Sequence, residues 1–274
     1  MTRSARRTRR TGRMLQVAGV GAAALLALSA CSSDSDSSTK SGSTAKSDKL
    51  SGTVTVFAAA SLKESFTTLG KDFEKAHPGT KVTFNFGGSD TLAASITGGA
   101  PADVFAAASP KTMAIVTDKS DAAGTPATFV RNQLEIATLP GNPDKVASLE
   151  DLTKSGLKVV LCDRTVPCGA AAQKALDASS LKLTPVSYEQ DVKSALTKVE
   201  LKEADAAVVY KTDVNAAGDK VEGVEFPESA KAINDYPIVL LKDAPNAATA
   251  KEFIALVRSP EGQKVLTAAG FLQP

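Results

Sequence analysis

The chain has 274 residues, with 32 Lys and Arg against 30 Asp and Glu, one His, three Cys and no Trp. Six arginines fall in residues 1–30, which hold no acid and no lysine, so the remainder carries 26 basic against 30 acidic residues, a net charge near −4. That balance, with no basic cluster, argues against nucleic acid or an anionic membrane surface as a partner, and a single histidine removes most Ser-His and Cys-His nucleophile pairs and almost every histidine-based metal site.

The six arginines precede an apolar stretch, residues 14–30, that is shorter than the roughly 20 residues a membrane-spanning helix needs. Basic region, apolar core and the small pair Ser29-Ala30 before Cys31 have the order of a secretory signal. Leu28-Ser29-Ala30-Cys31 resembles a lipobox, which implies a diacylglyceryl group on the Cys31 thiol and cleavage that makes Cys31 the new N-terminus. An ordinary cleaved signal with an incidental cysteine is the alternative. Arg9-Arg10 is a poor twin-arginine signal, because Thr11 and Gly12 stand where an apolar residue is expected. Residues 31–50 are mostly Ser, Asp, Thr, Lys and Gly and bury too little to offset ordering, so they are read as a disordered tether.

From residue 51 onward, short apolar runs alternate with helical patterns. Residues 53–59 predict a strand, and Leu62, Phe66, Leu69 and Phe73 line one face of the helix that follows. Val82, Phe84 and Phe86 alternate with polar residues in a second strand, and Leu92 and Ile96 mark a helix ended by Gly98-Gly99. Residues 104–107, 133–139 and 157–161 predict further strands, Pro110 opens a helix, Val192, Leu196 and Val199 mark another, and residues 206–210 form a buried strand. Such alternation predicts an α/β fold of mainly parallel sheets flanked by helices, with ligands at the carboxyl ends of strands.

Apart from Cys31, the cysteines are Cys162 and Cys168, six positions apart with turn-forming residues between them. In an exported chain an intrachain disulfide is the expected outcome. Two thiols without a nearby histidine are too few for a closed zinc site, and two free buried thiols is the remaining alternative.

Three junctions carry small residues where a strand passes into a helix: Ala58-Ala59-Ala60-Ser61, Gly87-Gly88-Ser89 and Val166-Pro167-Cys168-Gly169-Ala170. The first N–H groups of each helix lack intrahelical partners, so an anion can bind there. The alternative is that Ser61 and Ser89 simply cap their helices. His77, in Ala76-His77-Pro78-Gly79, is read as a surface turn residue; a secreted serine hydrolase using Ser61 would need it as base.

The run Val54-Thr55-Val56-Phe57-Ala58-Ala59-Ala60-Ser61-Leu62 resembles the start of the mature periplasmic molybdate-binding proteins of ABC importers. Similar motifs follow in order: Phe86-Gly87-Gly88-Ser89-Asp90-Thr91-Leu92, Gly99-Ala100-Pro101-Ala102-Asp103-Val104-Phe105, Val166-Pro167-Cys168-Gly169, Asp191-Val192-Lys193-Ser194-Ala195-Leu196, Val208-Val209-Tyr210 and Asp235-Tyr236-Pro237-Ile238. The resemblance implies a two-lobed type II periplasmic-binding fold, with lobe one at 51–131 and 236–274 and lobe two at 132–235. It also implies an oxyanion held by the hydroxyl and N–H of Ser61 and Ser89, the N–H groups of Cys168 and Val192, and the Tyr210 phenol. Cys168 replaces an alanine at its position, a change without direct effect on a backbone contact. The function implied is capture of molybdate, and of tungstate, outside the cell by a monomeric, non-catalytic lipoprotein, for delivery to a membrane permease and its ATPase. Sulfate or another tetrahedral oxyanion on the same fold is the near alternative.

Overall fold

The computed structural model describes residues 50–274. The expected signal segment, the expected lipid attachment at Cys31 and the expected tether up to residue 49 lie outside the described residues. Among the described residues no helix is long and apolar enough to cross a membrane.

The chain begins with β1 (Gly52–Ala59), α1 (Lys63–Ala76), β2 (Thr80–Gly87), α2 (Ser89–Thr97), β3 (Val104–Ala106), α3 (Pro110–Thr117) and β4 (Ala127–Asn132). It then crosses through Gln133 into β5 (Leu134–Thr138), β6 (Val159–Cys162), α4 (Pro167–Ala178), β7 (Ser187–Glu189), α5 (Val192–Glu200), β8 (Ala206–Tyr210), α6 (Lys211–Ala217) and β9 (Glu222–Val224). A return segment, residues 225–233, leads to β10 (Asn234–Leu240), α7 (Ala247–Arg258) and α8 (Pro260–Ala268). Strands order as β2-β1-β3-β10-β4 in one sheet and β7-β6-β8-β5-β9 in the other. The two sheets and their helices form the two-lobed α/β fold. β4 runs through Asn132 and β10 opens at Asn234, so the first sheet extends past the expected crossing points at 131 and 236 by one and two residues.

Both sheets are mixed. β1 is parallel to β2 and β3, but β10 is antiparallel to β3 and β4. Likewise β6 is parallel to β7 and β8, whereas β5 is antiparallel to β8 and β9. Four of the five strands in each sheet therefore point the same way, as expected, and one is reversed. The reversed strand is in each case the one that follows a crossing. The other strands end at the cleft, so a chain that passes directly to the other sheet starts its next strand at the cleft and runs away from it.

Local sequence explains the elements that matter for the cleft. Leu62, Phe66, Leu69 and Phe73 are buried beneath α1 while its lysines face water. Phe66 meets Phe129 and Phe253 at ring separations of 5.8 and 6.0 Å, and truncating such a buried ring costs about 3–5 kcal/mol. α3 and α4 open with proline at a position whose N–H would have no helical partner. β4 escapes an alternation test because adjacent Phe129 and Val130 are both buried. Pro237 interrupts the ladder of β10, where the register with β4 shifts between Tyr236 and Pro237, consistent with its missing N–H. Asp103, from the Gly-Ala-Pro-Ala-Asp motif, is buried and structural: its carboxylate accepts from Thr55 N at 2.8 Å and Asn246 N at 2.7 Å.

Candidate ligand-binding site

The carboxyl ends of β1, β2, β6 and β8 converge on a small cavity between the two sheets. Ser61, Ser89, Cys168, Val192 and Tyr210 all line it, with Gly88, Ala108 and Asp191 among their neighbours. The structure thus brings all five residues singled out from the sequence to one place.

Neither serine acts as a helix cap. Ser61 lies in a 3-10 turn, Ala60–Leu62, and neither that turn nor α1 has a side-chain cap. Its Oγ sits 2.9 Å from Tyr236 Oη. Ser89 is the first residue of α2, whose cap position is Gly88, and Ser89 Oγ accepts from Ala108 N at 3.0 Å. Tyr210 Oη accepts from Asn234 Nδ2 at 2.8 Å, and Tyr236 Oη from Asn132 Nδ2 at 3.4 Å. Protein N–H donors therefore engage a lone pair on each of Ser89, Tyr210 and Tyr236, and the last pairs with Ser61 Oγ, where either hydroxyl can donate. Each hydroxyl can turn its own proton toward the cavity. Burial pushes both phenols above the usual tyrosine range, so they remain O–H donors at any physiological pH.

Backbone donors complete the lining. In α4 the first intrahelical bond runs from Ala170 N to Val166 O, which leaves the Cys168 and Gly169 N–H groups outside the helical ladder. In α5, Ser194 N bonds the Asp191 side chain and Ala195 N the Asp191 carbonyl, so the Val192 and Lys193 N–H groups stand outside it. Asp191 is the charged residue of the lining, and its carboxylate is turned back on Ser194 N and Oγ, at 2.9 and 3.0 Å. No lysine or arginine lines the cavity among the described residues. Neutral dipoles, held by the fold, are what it offers a guest.

The Cys162 and Cys168 sulfurs lie at bonding distance, with Cα atoms 5.8 Å apart. The loop between them folds tightly over the first turn of α4: a Cβ on Gly169 would lie 1.9 Å from the Asp163 carbonyl oxygen, so that position requires glycine. Among the described residues, no group of three or more His, Cys, Asp or Glu side chains could hold a metal ion.

The cleft is closed in this structure. A Cβ on Gly88 would stand 2.6 Å from the Gln190 carbonyl oxygen on the opposite side. Lys193 Nζ on α5 reaches Glu64 Oε2 on α1 at 3.0 Å and Asp213 Oδ1 on α6 at 3.1 Å. Asn215 Nδ2 on α6 donates to Ala269 O beyond α8, at 3.1 Å. Asp213 is fully buried beneath Tyr210, whose N–H it accepts at 3.2 Å, and burial raises its carboxyl to about 6 against the pull of Lys193.

Ser61 has no histidine partner. His77 terminates α1 at the end opposite Ser61, about 21 Å along a 14-residue helix, with its ring 4.6 Å from that of Phe73. That geometry is incompatible with a serine hydrolase. The residues that sequence reasoning missed are Asn132, Asn234 and the role of Tyr236: Asn234 acts on Tyr210 from 24 positions away and Tyr236 on Ser61 from 175, while Asn132 acts on Tyr236, itself outside the lining, from 104. An Asn or Tyr at a crossing carries no periodic signal that would have found it.

Two sheets joined by two crossings and closed on a small donor-lined cavity define a solute-binding protein, and the chain belongs to the family of bacterial extracellular solute-binding proteins, whose family model matches residues 54–272. It is 42% identical over 221 residues to the molybdate-binding protein ModA of Mycobacterium tuberculosis, covering 81% of this chain and 85% of that one. It is 32% identical to the molybdate-binding protein ModA of Escherichia coli, over 80% of this chain and 89% of the other. The fold is similar to that of the Azotobacter vinelandii periplasmic molybdate-binding protein, with a TM-score of 0.71 at 22% identity, covering 81% of this chain and 99% of that one. These relatives are solute-binding proteins, not enzymes.

Proposed function

We propose that this chain captures molybdate, and tungstate with it, outside the cell and hands it to an ABC permease and its ATPase. The observation that carries this reading is the convergence of Ser61, Ser89, Tyr210 and the N–H groups of Cys168 and Val192 on a closed cavity with no cation in its lining. The names of the ModA relatives point to the same ligand. Molybdate and tungstate are fully ionised dianions at neutral pH, and a charged hydrogen bond from each neutral donor contributes roughly 1.5–3 kcal/mol. A protonated oxyanion would bring a proton to hydroxyls of Ser89 and Tyr210 that already accept from protein N–H groups and turn their own protons inward, and a proton left unsatisfied there costs about 1–3 kcal/mol. The sulfurs of Cys162 and Cys168, at bonding distance, support a disulfide that braces the loop presenting the Cys168 N–H. Lipid on Cys31 and the tether that follows would keep a monomeric binding protein beside its permease.

Titration calorimetry with molybdate, tungstate and sulfate tests the ligand assignment. Molybdate and tungstate are expected to bind at least tenfold more tightly than sulfate; a preference for sulfate would overturn it. Ser61→Ala and Ser89→Ala should each weaken molybdate by tenfold or more, about 1.4 kcal/mol or above, without unfolding the protein. Unchanged affinity in both would reduce the serines to cavity wall.

A further inference from the structure

We infer that Asn234 is a specificity-determining positioning residue: by donating to Tyr210 it keeps the cavity an all-donor site and so excludes protonated oxyanions. Asn234 opens β10 at the return crossing, outside the cavity lining. Its Nδ2 reaches three oxygens, Tyr210 Oη at 2.8 Å, Ala108 O at 2.9 Å and Pro167 O at 3.4 Å. Two of the three are carbonyls, which only accept, so the face of the amide turned toward them is its NH₂. Tyr210 Oη, reached by the same nitrogen, must then accept as well.

A phenol oxygen that accepts from Asn234 has its proton to give, and what remains around it is the cavity and the Tyr236 hydroxyl. Tyr236 is itself supplied by Asn132 Nδ2 at 3.4 Å and turned on Ser61 Oγ at 2.9 Å. An anion in the cavity thus draws the Tyr210 proton, and Asn234 already occupies the accepting side of the oxygen that a proton on the guest would seek. Take away the amide and Tyr210 can rotate to accept. The Ala108 and Pro167 carbonyls, one from each side of the cleft, hold the amide with its NH₂ aimed at Tyr210.

This inference rests on the oxyanion reading above, and its test is a ratio. In the full chain, Asn234→Ala should lower molybdate affinity by about tenfold while inorganic phosphate at pH 6, where it carries protons, gains or keeps affinity, narrowing the molybdate-to-phosphate ratio at least tenfold. A residue that only braced the crossing would lower both oxyanions together, and an unchanged ratio would overturn the proposal. A double-variant cycle gives the second arm: in a Tyr210→Phe background, Asn234→Ala should change molybdate affinity by less than twofold, and a full-sized effect there would also overturn it. If Asn234→Ala does not fold, the isosteric Asn234→Asp, whose carboxylate takes the Tyr210 proton, is read by the same ratio. Should wild type prefer sulfate, the molybdate assignment fails, and the inference is judged on sulfate against phosphate.

Discussion

Asp213 sets a cost that the site carries even when empty. Its carboxylate is fully buried under Tyr210, and Lys193 does not fully compensate the lost hydration, which is why its carboxyl rises to about 6 from an ordinary 3.8. The native state therefore holds this proton between those pH values after the unfolded chain has lost it. The stabilising contribution is complete below the lower value and is lost as the pH rises through the upper one. Compared with Asp213→Asn by urea denaturation, the wild type should lose about 1 kcal/mol of stability between pH 5 and pH 7. A flat difference between the two proteins would show that Asp213 titrates normally. At this scale the sequence was informative about what touches the cavity and silent about what orients it. Ser61, Ser89 and Tyr210 sit in contiguous motifs, whereas the partners that aim their hydroxyls, Tyr236 and Asn234, come from a strand that only the folded chain brings near.

Among the elements, helix faces were legible and strand environment less so. Residues 206–210 were expected as a strand and form β8, and the buried stripe of α1 is the one its 4-3-4 spacing predicts. β7 and β9 are three residues each, too short for any periodicity to mark. The two glycines of the Gly87-Gly88 pair differ in what they do: a Cβ on Gly87 would make only ordinary contact with Leu92 at 3.9 Å, while one on Gly88 would collide with Gln190 O across the cleft. Gly88 serves closure. Gly88→Ala should fold with wild-type stability in the absence of ligand yet lose at least tenfold in molybdate affinity, as the added methyl props the cleft open. Calorimetry beside thermal melting measures both, and undiminished affinity would mean that Gln190 moves aside at no cost.

For the whole molecule, the ion pair of Lys193 with Glu64 is a contact that exists only when α5 and α1 meet. Glu64 is half exposed, which limits the pair to about 0.3–1 kcal/mol. Glu64→Gln should consequently weaken molybdate only two- to fivefold, and the loss should shrink in high salt. Small-angle scattering of the ligand-free variant should show a larger radius of gyration than wild type if the pair biases closure. An identical scattering profile and affinity would make it a bystander. The two-lobed class was readable because strands and helices alternate, but the reversal of β5 and β10 was not, since strand direction depends on where the chain crosses rather than on composition.

That reversal has a consequence for the order in which the molecule assembles. β10 lies between β3 and β4, so the first sheet lacks an interior strand until residues 234–240 arrive, whereas the second sheet is drawn from the continuous span of residues 134–224. Pairing β10 with β3 closes a loop of more than a hundred residues, a slow and entropically costly step. During refolding the second sheet should gain amide protection first, with the first sheet following as a late, separate phase in pulse-labelled hydrogen exchange. A chain emerging N-terminus first would then leave β1, β2 and β3 waiting on its last forty residues, and truncation before β10 should leave a protected second sheet beside an unprotected first one.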